Sequence, residues 1–377
     1  LGARSHRYSS DGDVPQPLRL PNGRLFSRLH FSRRLGDSMI QHRIAVKVTW
    51  AGLGDQMMQM DLIHRIAAFS QGRYVHLPMF PKRIFPDVGD FTGIDLYHRL
   101  HPDPDAPPDL PQLMIDLVDL FDEDCTTLLP EEVRSGAVLA VVKFQYLNAL
   151  PKMQNLYRRI AQSAPFPFRD LYRLGLQGRP SLNPATGRIR LVVHLRLGDT
   201  ATMTLADGRR LTADGMRILG TDPTLSVRPP VDVARAIDFC RHMAADPAVD
   251  VMLLSDGYDL AIRNLKTFRS MVPGLSIEER DSLIAQLEEK GRIFETLPAE
   301  MRRVGETEED TRFAIDTLAA ADLVVRTSGG FALMVARHMG GVPPNRIFDL
   351  DAALATPDLV RREIARIAEA APERTGA

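Results

Sequence analysis

The chain has 377 residues, 44% hydrophobic and 25% charged. That is the composition of a globular protein, and the length makes two domains the default. Its 47 basic and 48 acidic residues leave a formal charge of −1, which excludes a global field for nucleic acid or membrane and confines any anion site to a local cluster.

No apolar run approaches the ~18 residues of a membrane span. The two cysteines, Cys125 and Cys240, lie far apart and form neither a disulfide framework nor a zinc pattern. The ten histidines include no H-E-x-x-H, so no metal is expected. A reducing, cytoplasmic compartment is the simplest expectation. The start at Leu1 rather than Met leaves room for an upstream signal or anchor.

In chain order, residues 1–40 read as a poorly ordered, basic N-terminal arm. Arg43–Trp50 alternates as a strand, Ala51–Asp55 is a glycine turn, and Gln56–Ser70 carries Met57, Met60, Ile63 and Ile66 at helical spacing. Tyr74–Leu77 is predicted as the next strand, and 78–112 as a Pro- and Asp-rich loop. Leu113–Phe121 is predicted as a helix, Ala137–Phe144 as a buried strand, and a further helix runs to about Ala161. Pro165–Gly187, rich in Pro and Gly, is the candidate linker.

The alternation then restarts. Strands are predicted at Ile189–Leu195, Asp250–Leu254, Leu323–Val325 and Arg346–Leu350. Helices are predicted at Val231–Ala244, 259–270, 279–290, Thr307–Ala321, Phe331–Met339 and Asp358–Ala371, with a long loop over Thr200–Pro230. Strands alternating with helices predict an α/β fold with parallel sheets. The expected architecture is two Rossmann-like domains facing across a cleft, 41–175 on the acceptor side and 188–377 on the nucleotide side.

Four strand or helix ends carry chemistry-bearing residues. Arg190–Thr200 reads R-L-V-V-H-L-R-L-G-D-T, an apolar strand ending in His194, Arg196, Gly198 and Asp199. Ligands in parallel α/β sheets bind outside the carboxyl ends of strands, and a guanidinium there can hold two phosphate oxygens at once. A surface Arg–Asp pair at a strand end fits the same letters. Gly52-Leu53-Gly54-Asp55-Gln56 is either an anion-attracting helix start or an ordinary βα turn. Asp55 would repel a pyrophosphate and makes better sense as a base facing an acceptor hydroxyl.

Leu253-Leu254-Ser255-Asp256-Gly257 ends another apolar strand, with Asp256 either a helix N-cap or a ligand contact. Asp316–Gly340 runs from a small-residue helix through Asp322 into Arg326-Thr327-Ser328-Gly329-Gly330. Its hydroxyls and glycines form either a second anion cradle or a capped βα turn.

The order G-x-G-x-Q, H-x-R-x-G-D, S-D and D-x5-D-x4-T-S resembles the GDP-fucose-dependent fucosyltransferase superfamily, which includes the α1,2-, α1,6- and protein O-fucosyltransferases and the rhizobial Nod-factor enzyme. The resemblance spans roughly residues 43–350, and H-x-R-x-G-D is its specific element. It implies a GT-B architecture without a metal or cofactor, with GDP-fucose as donor substrate bound mainly by the C-terminal domain. Carried over by motif, Arg196 would hold the β-phosphate with His194 beside the nucleotide sugar. Asp316 would bind guanine or ribose, Thr327 and Ser328 would reach the pyrophosphate, and Gly52–Gln56 would close the cleft.

Two departures stand out. Asp55 replaces the Asn usual in the α1,2 type, and Gly329 and Gly330 stand where further serines are common. The expected function is inverting transfer of fucose to a hydroxyl of a glycan or similar acceptor, with Arg196 as leaving-group stabiliser and Asp55, or secondarily Asp199, as base. The alternatives are a GT-B transferase using another nucleotide sugar and a nucleotide- or glycan-binding protein without turnover.

Overall fold

The computed structural model describes residues 42–47, 52–77, 92–101, 109–128, 130–143, 151–177, 179–183, 186–197, 202–204, 208, 210–212, 231–267, 275–305, 307–327 and 329–370. The basic arm at 1–40 lies outside them.

The first half builds a four-stranded parallel sheet from β1 (Arg43–Lys47), β2 (Arg73–Tyr74), β3 (Gln112–Asp116) and β4 (Leu139–Lys143), in the order β2-β1-β4-β3. Helix α1 (Leu53–Phe69) connects β1 to β2, and α2 (Pro151–Ile160) and α3 (Phe168–Gln177) follow β4. The four apolar or aliphatic-stemmed residues that open β1 and β4 are buried and each strand ends in an exposed lysine, the near-continuous burial expected of inner parallel strands.

The second half builds a five-stranded parallel sheet. Its strands are β5 (Ile189–Leu195), β8 (Val249–Ser255), β9 (Arg302–Val304), β10 (Leu323–Arg326) and β11 (Ile347–Asp349). A short antiparallel hairpin, β6 (Thr202–Thr204) with β7 (Arg210–Thr212), falls within the predicted long loop. The sheet order is β11-β10-β5-β8-β9. The chain leaves β5 in one direction through β8 and β9, then returns to the other side of β5 with β10 and β11. That is a doubly wound order with its switch point between β5 and β10.

The intervening helices are α4 (Val233–Ala244), α5 (Asp259–Thr267), α6 (Ile277–Arg292), α7 (Glu308–Ala319), α8 (Gly330–Met334), α9 (Leu350–Ala355) and α10 (Pro357–Ala370). Their starts follow local chemistry. Asp232 caps α4 through the Arg235 amide, and Ser276 and Thr307 form reciprocal capping boxes with Glu279 and Asp310. Helix α8 continues as a π-helix over Val335–Gly340.

Side chains alternate faces along the inner strands. On one face Leu191, Val193, Leu195, Val251, Leu253, Leu323 and Val325 pack with α4, α9 and α10. On the other, Val192, Met252, Leu254 and Val324 join a cluster that also holds Met57, Met60 and Ile63 of α1, Leu171 of α3, Ile315 of α7, and Ala332, Val335 and Met339. The two sheets therefore share a helical core.

Two expectations need correction. Leu113–Phe121 is not a helix: its first part is β3, paired parallel along β4 from Gln112↔Leu139 to Asp116↔Lys143, and a 3-10 turn follows at Leu117–Asp119. A short apolar run fits either period, and here the open edge of β4 decides. The predicted linker over Pro165–Gly187 contains α3, whose Phe168, Leu171 and Tyr172 are buried. Strand β9 and helix α9 were not predicted; each is short enough to lack a readable period.

Candidate functional site

The turns after β5 and β10 are laced together at the switch point. Arg326 pairs with His194 in register, and the Thr327 amide donates to the His194 carbonyl at 3.0 Å. In return the Arg196 amide donates to Thr327 Oγ1 at 2.8 Å. On the other side of β5, the Leu197 amide donates to Asp256 Oδ1 at 2.6 Å. Asp256 thus holds the exit of β5. Ser255 Oγ accepts from the Gly257 amide at 3.0 Å. Polar side chains at the two neighbouring strand ends, Thr327 and Asp256, fix the backbone on which Arg196 is presented.

Arg326, which sequence reasoning did not single out, shapes the late motif. Its Nη1 donates to the carbonyls of Thr327 and Gly329 at 3.2 and 3.0 Å. Its Nε is buried with no hydrogen-bond partner among the described residues. Gly329 sits at φ 144° and ψ 156°, a conformation that suits only glycine, so the departure from serine there follows from the backbone. The missed signal was positional: Arg326 ends β10 as His194 nears the end of β5.

His194 is 9% exposed, and its ring lies 5.5 Å from that of Phe331. Burial, reinforced by the Arg196 and Arg326 guanidinium groups, pushes its pKa down to about 4. The imidazole is therefore neutral near pH 7, with one N–H to donate and no charge of its own. The positive charge at this point comes from the two arginines.

The glycine turn of the first half reaches the same place. The amides of Asp55 and Gln56 both donate to the Gly52 carbonyl at 3.0 Å, opening α1 with Asp55 in its first turn. An acidic residue there is favoured by the helix dipole alone, so its position has a structural reason as well as a chemical one. Gly54 lies against the start of α8: a Cβ on it would sit 2.2 Å from the Phe331 nitrogen and 2.5 Å from the Gly330 carbonyl carbon. Gly52, by contrast, faces open space. Contact therefore runs from Gly54 through Phe331 to His194, and on through Thr327 to Arg196. The two sequence motifs most distant from each other meet across two glycine backbones.

Asp316 belongs elsewhere, and its expected guanine or ribose contact is corrected. It is 1% exposed, and each of its oxygens already takes two donors. Oδ1 accepts from Tyr172 Oη at 2.7 Å and Arg179 Nη2 at 2.8 Å; Oδ2 accepts from Arg179 Nη1 and the Leu182 amide, both at 2.8 Å. Burial alone would push this carboxyl up, but the bonds from Arg179, Leu182 and Tyr172 more than offset it and hold the carboxyl below its ordinary value. Asn183 adds a bond to Thr317 Oγ1 at 2.8 Å. The cluster clamps α3 and the segment that follows it onto α7. Gly198, Asp199 and Ser328 lie outside the described residues.

Among the described residues no group of three or more His, Cys, Asp or Glu side chains could hold a metal ion, and no helix is long and apolar enough to cross a membrane.

No protein-family profile matches the sequence, and no curated protein matches it. Solved structures do. A mutant of Arabidopsis thaliana FUT1 in complex with GDP matches at 13% identity and a TM-score of 0.30, over 81% of this chain and 72% of that one. POFUT1 in an apo form matches at 13% identity and a TM-score of 0.34, over 84% and 99% of the two chains. POFUT1 in complex with GDP matches at 13% identity and 0.32, over 82% and 99%.

Proposed function

We propose that the chain transfers fucose from GDP-fucose to a hydroxyl of a glycan or similar acceptor, with inversion at the transferred carbon. The observation that carries this reading is the placing of Arg326, at the end of β10, and Arg196, just beyond the end of β5, on either side of the switch point of the second sheet, both acting on the buried His194. Switch points of such sheets are where nucleotides bind, and two guanidinium groups there select an anion. The ordered motifs and their resemblance to fucosyltransferases support GDP-fucose as the donor.

In this reading the bond from the sugar to GDP breaks through an oxocarbenium-like state, and negative charge grows on the β-phosphate. Arg196, its backbone locked by Thr327, stabilises that charge most when it is largest. That preference raises rate rather than mere affinity. Arg326 ties the Thr327 and Gly329 carbonyls together through Nη1 and adds positive charge beside them. His194, neutral, donates one hydrogen bond to a phosphate or sugar hydroxyl without adding a third cation. A carboxylate takes the proton of the acceptor hydroxyl as it attacks; Asp55 is the first candidate and Asp199 the second.

The test is direct. Arg196→Ala keeps its fold and loses transfer from GDP-fucose by a few hundredfold or more, about 3 kcal/mol; wild-type turnover in this variant would sink the reading. Thermal stabilisation by GDP but not UDP separates a GDP-sugar donor from a UDP-sugar donor. GDP binding without transfer or donor hydrolysis would point instead to a binding protein.

A further inference from the structure

A cleft of about 460 Å3 runs beside α1, within the size range of small-molecule sites. One wall is a stripe of α1 that begins at Asp55 and continues through Met58, Gln59 and Leu62; Tyr157 at the end of α2 and Met334 of α8 face it. Met334 belongs to the same short helix whose first residues press on Gly54. The cleft thus starts at the candidate base and leads away from the switch point.

Its polar groups divide into two kinds. Asp61 and Arg65 are committed: Arg65 Nε bonds Asp61 Oδ2 at 2.8 Å, Arg65 Nη1 bonds the Ser163 carbonyl at 2.8 Å, and Asp61 Oδ1 takes the Phe166 amide at 2.8 Å. These bonds hold the turn after α2 against α1 and so keep the far wall in place. Gln59 is different. It is 2% exposed, and its Oε1 is buried with no hydrogen-bond partner among the described residues. A buried amide oxygen left unpaired costs about 1–3 kcal/mol, and such a cost is relieved when a ligand supplies the missing partner.

We infer that this cleft is the acceptor subsite, and that it takes a saccharide ring with one face on Tyr157 and Met58 and a hydroxyl on Gln59. This rests on the transferase reading given above. The chemistry selects the ligand class. A hydroxyl both donates and accepts, so it satisfies the Gln59 amide edge whichever way the amide is turned. Sugars combine such hydroxyls with an apolar ring face that packs on an aromatic side chain. The spacing also fits: Gln59 is four residues beyond Asp55, about 6 Å along the helix. One ring can therefore offer one hydroxyl to Asp55 and another to Gln59. Gln59 is a specificity-determining residue, and Asp55 is the group beside the reacting hydroxyl.

The experiment uses the full chain and three probes, p-nitrophenyl β-D-galactoside, p-nitrophenyl β-D-glucoside and p-nitrophenyl N-acetyl-β-D-glucosaminide, with saturation-transfer NMR for binding and calorimetry for GDP. At least one glycoside binds the wild-type protein. Gln59→Leu weakens it about tenfold, with GDP affinity unchanged and Tm unchanged or raised, since a glutamine that served only the fold would lower Tm when replaced. Ala161→Trp, on the exposed rim of the cleft, fills it from outside the core and also abolishes glycoside binding. The proposal is overturned if no glycoside binds, or if binding survives both substitutions. Loss of GDP binding in the wild type, with glycoside binding intact, would instead count against the donor reading alone.

Discussion

Arg196 and Asp316 look alike in the sequence: each is a charged residue in a motif beside a strand of the second sheet. Their surroundings are opposite. Asp316 is enclosed, with four donors filling its two oxygens. Arg196 is half-buried and stands on a backbone fixed by Thr327 and Asp256, next to a second guanidinium and a neutral imidazole. In the first region the charge is enclosed to join two segments; in the second two guanidinium groups stand at one sheet edge, Arg326 also pairing with the exposed Asp349 at 3.5 Å, and this is a difference a sequence motif does not display.

The largest expected effect tests the enclosed region. Asp316→Ala leaves the Arg179 guanidinium, 12% exposed, without its partner, and breaking such a buried pair costs about 3–5 kcal/mol. Denaturant unfolding should show that loss, while the residual folded protein binds GDP with wild-type affinity. A GDP defect without a stability defect would restore Asp316 to the nucleotide site.

Arg196→Ala is the converse, with about 3 kcal/mol lost from the transition state and an unfolding midpoint near that of wild type. If unfolding shifts as far as activity does, the contrast between the regions fails.

His194 sharpens the comparison through pH. Its folded pKa lies at about 4, below the ordinary 6.5, so the unfolded chain binds its proton first as the solution is acidified. The stability it supports is complete above pH 6.5 and is lost as pH falls towards about 4, at most on the order of 3 kcal/mol. Burial lowers His42, His64, His101 and His338 as well, so the informative quantity is a difference. His194→Gln should unfold with a shallower pH dependence than wild type between pH 6.5 and 4. Identical slopes would mean the imidazole is not buried beside two cations.

The smallest effect tests the meeting of the halves. Gly54→Ala would normally favour a helix, yet its Cβ would strike the Gly330–Phe331 backbone. Such overpacking costs about 1–3 kcal/mol and should weaken GDP binding by displacing Phe331 from His194. Gly330→Ala meets chiefly the flexible end of Met58 at 2.9 Å and should cost less. A reversed ranking would show that α1 does not abut α8 as described.

Much of this was legible beforehand. The apolar runs of β5, β8 and β10 announce inner parallel strands, and the Ser276 and Thr307 boxes mark their helices. Arg196, His194 and Thr327 do lie together, because register in a parallel sheet brings successive strand ends to one edge. What was hidden depended on pairing between distant segments. The strand character of Gln112–Asp116 is settled by β4, and the fate of Asp316 by Tyr172 and Arg179, more than 130 residues away. The need for glycine at 54 arises from a backbone reached through the whole intervening chain. No local pattern carries such information.

The core shared by the two sheets bears on how far the two halves can move apart. Parting the halves would hydrate Met57, Met60 and Ile63 on one side and Val192, Leu254 and Val324 on the other. Each such side chain costs about 1.5–3 kcal/mol to expose, so a handful would exhaust the 5–15 kcal/mol by which a domain is stable. Rocking of one half against the other is therefore costly. The two halves should melt in a single cooperative transition, with the amides of α1 and β5 exchanging with solvent at the same slow, global rate.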